Sequence, residues 1–362
     1  MLLYPFALIY GLITAFRNFL YDRKIFKSVR FDFPIIGVGN LSAGGTGKSP
    51  HIEYLLALTQ YILKTATLSR GYGRRSHGFV IADYNTTALQ VGDEPAMFKQ
   101  KFPEAVVAVG EDRVLAVPKL LDAHPDVDVL FLDDAFQHRP IRAGLSILLT
   151  EYHNLFTRDN LLPVGWLREA KHNYHRADII IVSKCPTDLT EAQRSAIISE
   201  IKPFSYQKVY FSTLQYGQIY AFSDHNYKLY LDKDMDVLLV SGIAKFGELK
   251  QYLESKARKV YLRDYNDHHR FDSFDLENIR DTFRNLGDVR KVIITTEKDA
   301  TRLAEHRNWF SENKIEIFVQ PVQVQFLGED GAKFNSDIFR YIEVTRRNLY
   351  QTSEHEKPST ED

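Results

Sequence analysis

Short apolar runs recur along the chain with amphipathic stretches between them, and that alternation predicts an α/β fold with mostly parallel sheets. The first run, 34–39, reads as a buried strand. Further strands are expected at 65–69, 105–109, 127–132, 145–150, 179–183, 209–213, 237–241, 260–262, 292–296 and 315–319. Helical periodicity appears at about 50–63, 190–201, 244–256, 273–286 and 334–347. So many strands exceed one ordinary sheet. Residues 216–235, rich in Tyr, Asp, Gly and Lys and without a strong period, are the expected connection. The reading is then a main domain at 29–215, a smaller domain at 236–350, and a polar tail at 351–362 expected to be disordered.

The first 16 residues carry no charge and are dominated by Leu, Ile, Phe and Tyr. Arg17 ends the run too early for a comfortable membrane-spanning helix. It has neither a basic start nor a small-residue cleavage site, so it does not read as a signal peptide. On a helical wheel Gly11, Thr14, Asn18 and Asp22 form one narrow polar stripe. Arg17, Arg23, Lys24, Lys27 and Arg30 follow, opposed by Asp22 alone. An apolar helix with a basic cluster suits an anchor over 1–28, lying on an anionic leaflet. A core helix or a dimer seam is the alternative.

Composition narrows this picture. The chain has 362 residues, 44% hydrophobic and 26% charged, which describes a globular protein with room for two domains. The net charge of −1 supplies no general attraction to nucleic acid. A single cysteine, Cys185, excludes an internal disulfide and fits a reducing compartment.

The strongest candidate chemistry follows the first strand. In Asn40-Leu41-Ser42-Ala43-Gly44-Gly45-Thr46-Gly47-Lys48-Ser49, a glycine-rich loop leads through Gly-Lys-Ser into a helix. Such a loop turns backbone N–H groups onto phosphate oxygens and adds the helix N-terminus. Its lysine reaches the β- and γ-phosphates and its serine ligates Mg²⁺. Ser42 stands where this P-loop pattern usually has its first glycine. The strand ending in Asp133-Asp134 has the arrangement that positions Mg²⁺ in such enzymes.

Other clusters are less decisive. Gly92-Asp93-Glu94-Pro95 opens a helix, and the residues alone favour a cap and a first-turn acid. Asp264-Tyr265-Asn266-Asp267-His268-His269 suits a histidine oriented by a carboxylate better than a metal site, with a solvated loop as the alternative. Arg70, Arg74, Arg113 and Arg168 stand in turn contexts that fit phosphate contacts. Ser183-Lys184-Cys185 with Asp188 has the wrong spacing for a guanine motif.

Taken in order, the motifs resemble the tetraacyldisaccharide 4′-kinase (lipid A 4′-kinase) family. Those that carry the resemblance are the apolar N-terminal helix, Val38 to Pro50, Ser69-Arg70-Gly71-Tyr72-Gly73-Arg74, Gly92-Asp93-Glu94-Pro95, Asp133-Asp134-Ala135-Phe136-Gln137-His138, Leu161 to Glu169, Asp267-His268-His269 and Thr296-Glu297-Lys298-Asp299-Ala300. Like this chain, the family carries a hydroxyl residue at Ser42. It usually has Gly at Ala135 and often Pro at Trp166 and Ala170.

The resemblance implies two α/β/α domains with the active site between them. It implies an ATP- and Mg²⁺-dependent kinase on the cytoplasmic face of the inner membrane. The acceptor would be the 4′-hydroxyl of an acylated glucosamine disaccharide 1-phosphate, and no obligate protein partner is evident. Ala43, Gly44, Gly45, Thr46, Gly47, Lys48 and Ser49 would hold nucleotide. Ser49, Glu94, Asp133 and Asp134 would serve the metal, and Arg70, Arg74, Arg113 and Arg168 the substrate phosphates. Asp93, paired with His268, would act on the acceptor hydroxyl, which reverses the cap reading. A P-loop ATPase switch and a nucleotide-binding adaptor are the other readings.

Overall fold

The computed structural model describes residues 3–243, 246–287 and 289–355. The chain opens with helix α1 (Tyr4–Asp22) and then builds β1 (Ile35–Asn40), α2 (Lys48–Thr59), β2 (Thr65–Ser69), β3 (Val80–Ala82), α3 (Ala88–Val91), α4 (Asp93–Lys101), β4 (Val106–Val109), α5 (Arg113–Ala123), β5 (Val129–Asp133) and β6 (Leu145–Glu151). β7 (Ile179–Ser183), α6 (Glu191–Ile201) and β8 (Lys208–Tyr216) complete the first pass. The chain then leaves for a second unit made of β9 (Tyr220–Ala221), β10 (Asp236–Ser241), α7 (Gly247–Lys256), β11 (Lys259–Asp264), α8 (Ser273–Arg284), β12 (Lys291–Thr296), α9 (Glu297–Leu303), α10 (Arg307–Glu312) and β13 (Ile317–Gln320). It returns as β14 (Val322–Phe326) and α11 (Asp330–His355).

Two sheets result. The larger has nine strands in the order β14-β8-β7-β6-β1-β5-β2-β4-β3, parallel except at its two edges. The smaller has five, β11-β10-β12-β13-β9, with only β9 antiparallel. The central strands are buried on both faces, which explains their nearly unbroken Val, Ile and Leu runs. β1 lies between β5 and β6, so the loop after β1 and the carboxylates ending β5 emerge side by side.

The expected boundaries change in three places. Strand β9 pairs with β13, so part of 216–235 belongs to the second sheet rather than to a connection. Strand β14 pairs with β8, and α11 buries Phe334, Ile338 and Ile342 in the first domain's core, so the smaller domain ends near Gln320, not 350. The chain therefore crosses between domains twice at one place, where Gly217 N donates to Pro321 O at 2.9 Å and Gln320 Nε2 to Gly217 O at 2.7 Å. Finally, α11 continues through 351–355 of the expected tail, and residues 356–362 lie outside those described.

Helix α1 is turned opposite to a soluble amphipathic helix. Its polar stripe faces the protein: Asn18 is buried and donates to Glu169, Asp22 pairs with Arg139 at 2.8 Å, and Gly11 lies against Leu161. Its apolar side faces out, with Leu12 71% and Phe16 64% exposed. The core-helix alternative is thereby excluded within this chain. No helix among the described residues is long and apolar enough to cross a membrane.

Candidate active site

The loop after β1 is held open by its own polar residues. Asn40 Nδ2 donates to Thr46 Oγ1 at 2.8 Å, and Ser183 Oγ donates to Thr46 O at 2.8 Å. Gly47 caps α2 with φ 88°, a left-handed conformation that a side chain would strain. Gly44 and Gly45 at the tip are exposed, while Ser49 is buried at the first turn of α2. Lys48 Nζ lies 3.2 Å from Asn40 Oδ1 and 3.4 Å from Asp134 Oδ1. The segment 161–169 runs alongside, with Ala43 N donating to Trp166 O and Arg168 N to Leu41 O.

The two carboxylates ending β5 differ sharply. Asp134 adopts φ 47° and is gripped by both arms of Arg168, at 2.8 and 3.0 Å. Burial opposes its ionisation, but Arg168 and Lys48 outweigh that and hold its carboxyl well below the usual range. Asp133 is fully buried, and its Oδ1 has no hydrogen-bond partner among the described residues. Burial and the neighbouring Asp134 push its carboxyl up to about 6.

That orphaned oxygen tests the expected metal. A buried carboxylate oxygen without a partner fits Mg²⁺, which takes one or two carboxylates together with substrate phosphates. Glu94 does not fit so simply, because its Oε1 accepts from Lys298 Nζ at 2.6 Å. Among the described residues no group of three or more acidic, histidine or cysteine side chains forms a ready metal cluster.

The far wall of the cleft is built across the domains. Gly92, with φ 96°, caps α4 and has no side chain to do so; a Cβ there would fall 2.8 Å from Tyr72 O. Asp93 is therefore not the cap that the residues alone suggested. Its Oδ2 accepts from His268 Nδ1 at 2.8 Å, although 175 residues separate the two. Arg302 Nε and Nη2 donate to the same oxygen at 3.0 and 2.7 Å. Burial would raise the Asp93 carboxyl, but these donors hold it down at about 2. The bond to Asp93 raises His268 in turn. His268 sits at φ 59°, whereas the adjacent His269 turns away to Asp275.

The arginines divide. Arg168 and Arg113 reach the β5 end, with Arg113 buried and donating to Asp134 O at 3.1 Å. Arg70 is exposed at the end of β2. Arg74 is committed to Glu111, Ser76 and Gly78 O, so it braces the 71–78 turn and is not available as the expected phosphate contact. Lys298 and Arg302, by contrast, were assigned no role from the sequence. The signal that could have found them is their spacing of four on one helix face, in and just after the Thr-Glu-Lys-Asp-Ala motif.

A P-loop and a carboxylate–histidine pair bridging two domains is the layout that the motifs lead one to expect. The family model for tetraacyldisaccharide-1-P 4′-kinase (LpxK) matches residues 1–343. The chain belongs to this kinase family. It is similar to the tetraacyldisaccharide 4′-kinase of Phocaeicola vulgatus, 42% identical over 351 residues and covering 96% of each chain. That of Flavobacterium johnsoniae is 42% identical over 342 residues, covering 94% of this chain and 96% of the other. The fold is similar to the crystal structure of LpxK from Aquifex aeolicus in complex with ATP, with a TM-score of 0.72 and 27% identity over 94% of this chain and all of that one. Within the family, every cleft residue named above lies in the matched segment.

Proposed function

We propose that the cleft between β1 and α9 carries out the family's reaction as follows. The protein is an ATP-dependent kinase that transfers the γ-phosphate to the 4′-hydroxyl of a tetraacyldisaccharide 1-phosphate. The observation that carries the residue assignment is the contact of Asp93 with His268 across the two domains. The loop 43–49 cradles the phosphates, and Lys48 follows the charge that moves to the leaving oxygens. Ser49 and Asp133 would hold Mg²⁺, which when bound neutralises phosphate charge. Arg168 keeps Asp134 ionised and turned to Lys48.

Asp93 Oδ1 has no protein donor among the described residues and is free to accept from the acceptor hydroxyl. A carboxyl held at about 2 is a weak base. In a loose phosphoryl-transfer transition state the nucleophile needs orientation more than early deprotonation, so the proton leaves late to Asp93 Oδ1 while His268 holds the carboxylate through Oδ2. Arg70, exposed at the end of β2, would meet substrate phosphate, while Arg113 is buried and braces the end of β5.

The outward apolar face of α1 is proposed to lie in the cytoplasmic leaflet of the inner membrane as a monotopic anchor. A neighbouring cavity of about 1010 Å³ supports this reading, since Lys24, Lys27, Arg30, Arg139 and Arg142 line it and suit anionic headgroups. The test of the function is transfer of labelled γ-phosphate from ATP to disaccharide 1-phosphate in detergent micelles. Label on the lipid, lost in Lys48→Ala, is expected. ATP turnover without acceptor, and no labelled lipid, would favour the ATPase-switch reading instead.

A further inference from the structure

The Thr296–Ala300 motif takes no part in the chemistry above, yet its residues are organised around one arginine. Asp299 is fully buried, and its Oδ2 accepts from Thr296 Oγ1 at 2.8 Å and from Gly242 N at 3.1 Å. Asp299 Oδ1 takes Arg302 Nη1 at 2.9 Å, and Gly242 O takes the same nitrogen at 3.0 Å. The Arg302 side chain is 4% exposed. One side of its guanidinium is thus fixed within the second domain, and the other, Nε and Nη2, points across the cleft to Asp93 Oδ2.

We propose that Arg302 is a positioning residue for phosphoryl transfer, fixing Asp93 through Oδ2 so that Oδ1 alone is presented to the acceptor hydroxyl. The proposal rests on the Asp93–His268 reading above. Three donors converge on Oδ2, which has only two lone pairs, so nothing further binds there. The final torsion of an aspartate is broad and roughly two-fold, and one bond to a half-exposed histidine leaves it free to exchange its oxygens. Two more bonds from a buried, anchored guanidinium remove that freedom. A carboxylate oxygen can only accept, so the same arrangement places the His268 proton on Nδ1 and leaves Nε2 as the distal nitrogen. A lysine at 302 would keep the charge but not the fixed fork of donors.

The experiment uses the full chain in detergent micelles with ATP and disaccharide 1-phosphate. Arg302→Lys is the main variant, because Arg302→Ala strips the cation from buried Asp299 and risks the fold. Misplacing a reacting group by about 1 Å costs on the order of 10²-fold, so kcat should fall by about that much with little change in the KM for ATP. In an Asp93→Ala background the same substitution should change kcat by less than about twofold, because the carboxylate it positions is gone. A kcat for Arg302→Lys within about threefold of wild type overturns the proposal. So does an equal loss in both backgrounds, the signature of a merely structural role. If Asp93→Ala and His268→Ala themselves keep wild-type kcat, the reading beneath fails and takes this one with it. If they collapse while Arg302→Lys does not, this one alone fails.

Discussion

Two aspartates of the site are each gripped by an arginine, but the two grips are built differently. Asp134 and Arg168 belong to one domain and lie on loops beside β1. Asp93 and Arg302 belong to different domains, between which the chain crosses near Gly217 and Pro321. The first clamp exists whenever the first domain is folded. The second exists only when the domains are together. Both sites include a non-glycine residue at positive φ, Asp134 at 47° and His268 at 59°, a strain of about 1–3 kcal/mol each that the surrounding contacts must hold. The lesson is a division of labour. The groups around the P-loop are fixed within one unit, and those around Asp93 are assembled from two.

The largest expected effect tests the one-domain side. Lys48→Ala should lower kcat by on the order of 10³-fold, since a charge that tracks the transferred phosphoryl group is lost. Its melting temperature should change little, because Asp134 keeps Arg168. Near-wild-type transfer by the folded variant would break the P-loop assignment. Next comes the membrane face. Leu12→Asp with Phe16→Asp should cut partition to anionic vesicles by about 10²-fold or more, from about 1.5–3 kcal/mol for each exposed apolar side chain removed. An unchanged melting temperature is expected, and unchanged flotation with vesicles would contradict the anchor.

The smallest effect probes the junction between the two sides. Glu53 of α2 and Glu297 of α9 share Lys101 of α4. Burial, and then Glu297, push the Glu53 carboxyl up to about 7. A carboxyl raised in the folded state binds a proton that the unfolded chain releases, so this contribution to stability is present at low pH and is lost as pH rises through about 7. Between about pH 5 and pH 8 the melting temperature of Glu53→Gln should therefore gain on that of wild type. A constant difference would show that Glu53 stays ionised throughout.

On the one-domain side the P-loop and the aspartate pair were legible in the sequence because each is a contiguous run, whereas the grip of Arg168 on Asp134, 34 residues away, was not. A buried run leads into Gly47-Lys48-Ser49, and another ends in Asp133-Asp134; adjacency in the sheet follows from α/β topology. The second clamp was not legible from residue chemistry. Asp93 looks like a cap, and only contact across 175 residues shows otherwise. The family resemblance supplied His268 but not Arg302, whose meaning depends on the partner that it faces. The domain boundary was misplaced for a similar reason. The strand Val322–Phe326 alternates Val-Gln-Val-Gln-Phe, a weak edge-strand signal, and the apolar stripe of α11 does not say which core it joins. For α1 the wheel gave the polar stripe correctly. That the stripe faces the protein depends on Glu169 and Arg139, which lie far along the chain.

The central claim is that Asp93 and His268 act as one unit assembled by the two domains. A double-mutant cycle on kcat in micelles tests it most directly. Asp93→Ala and His268→Ala should each lower kcat by about 10²–10⁴-fold with little change in the KM for ATP, and the double variant should be hardly worse than the worse single one. Losses that multiply in full in the double variant, or an Asp93→Ala protein that loses only about 1 kcal/mol of stability and keeps its kcat, would contradict it.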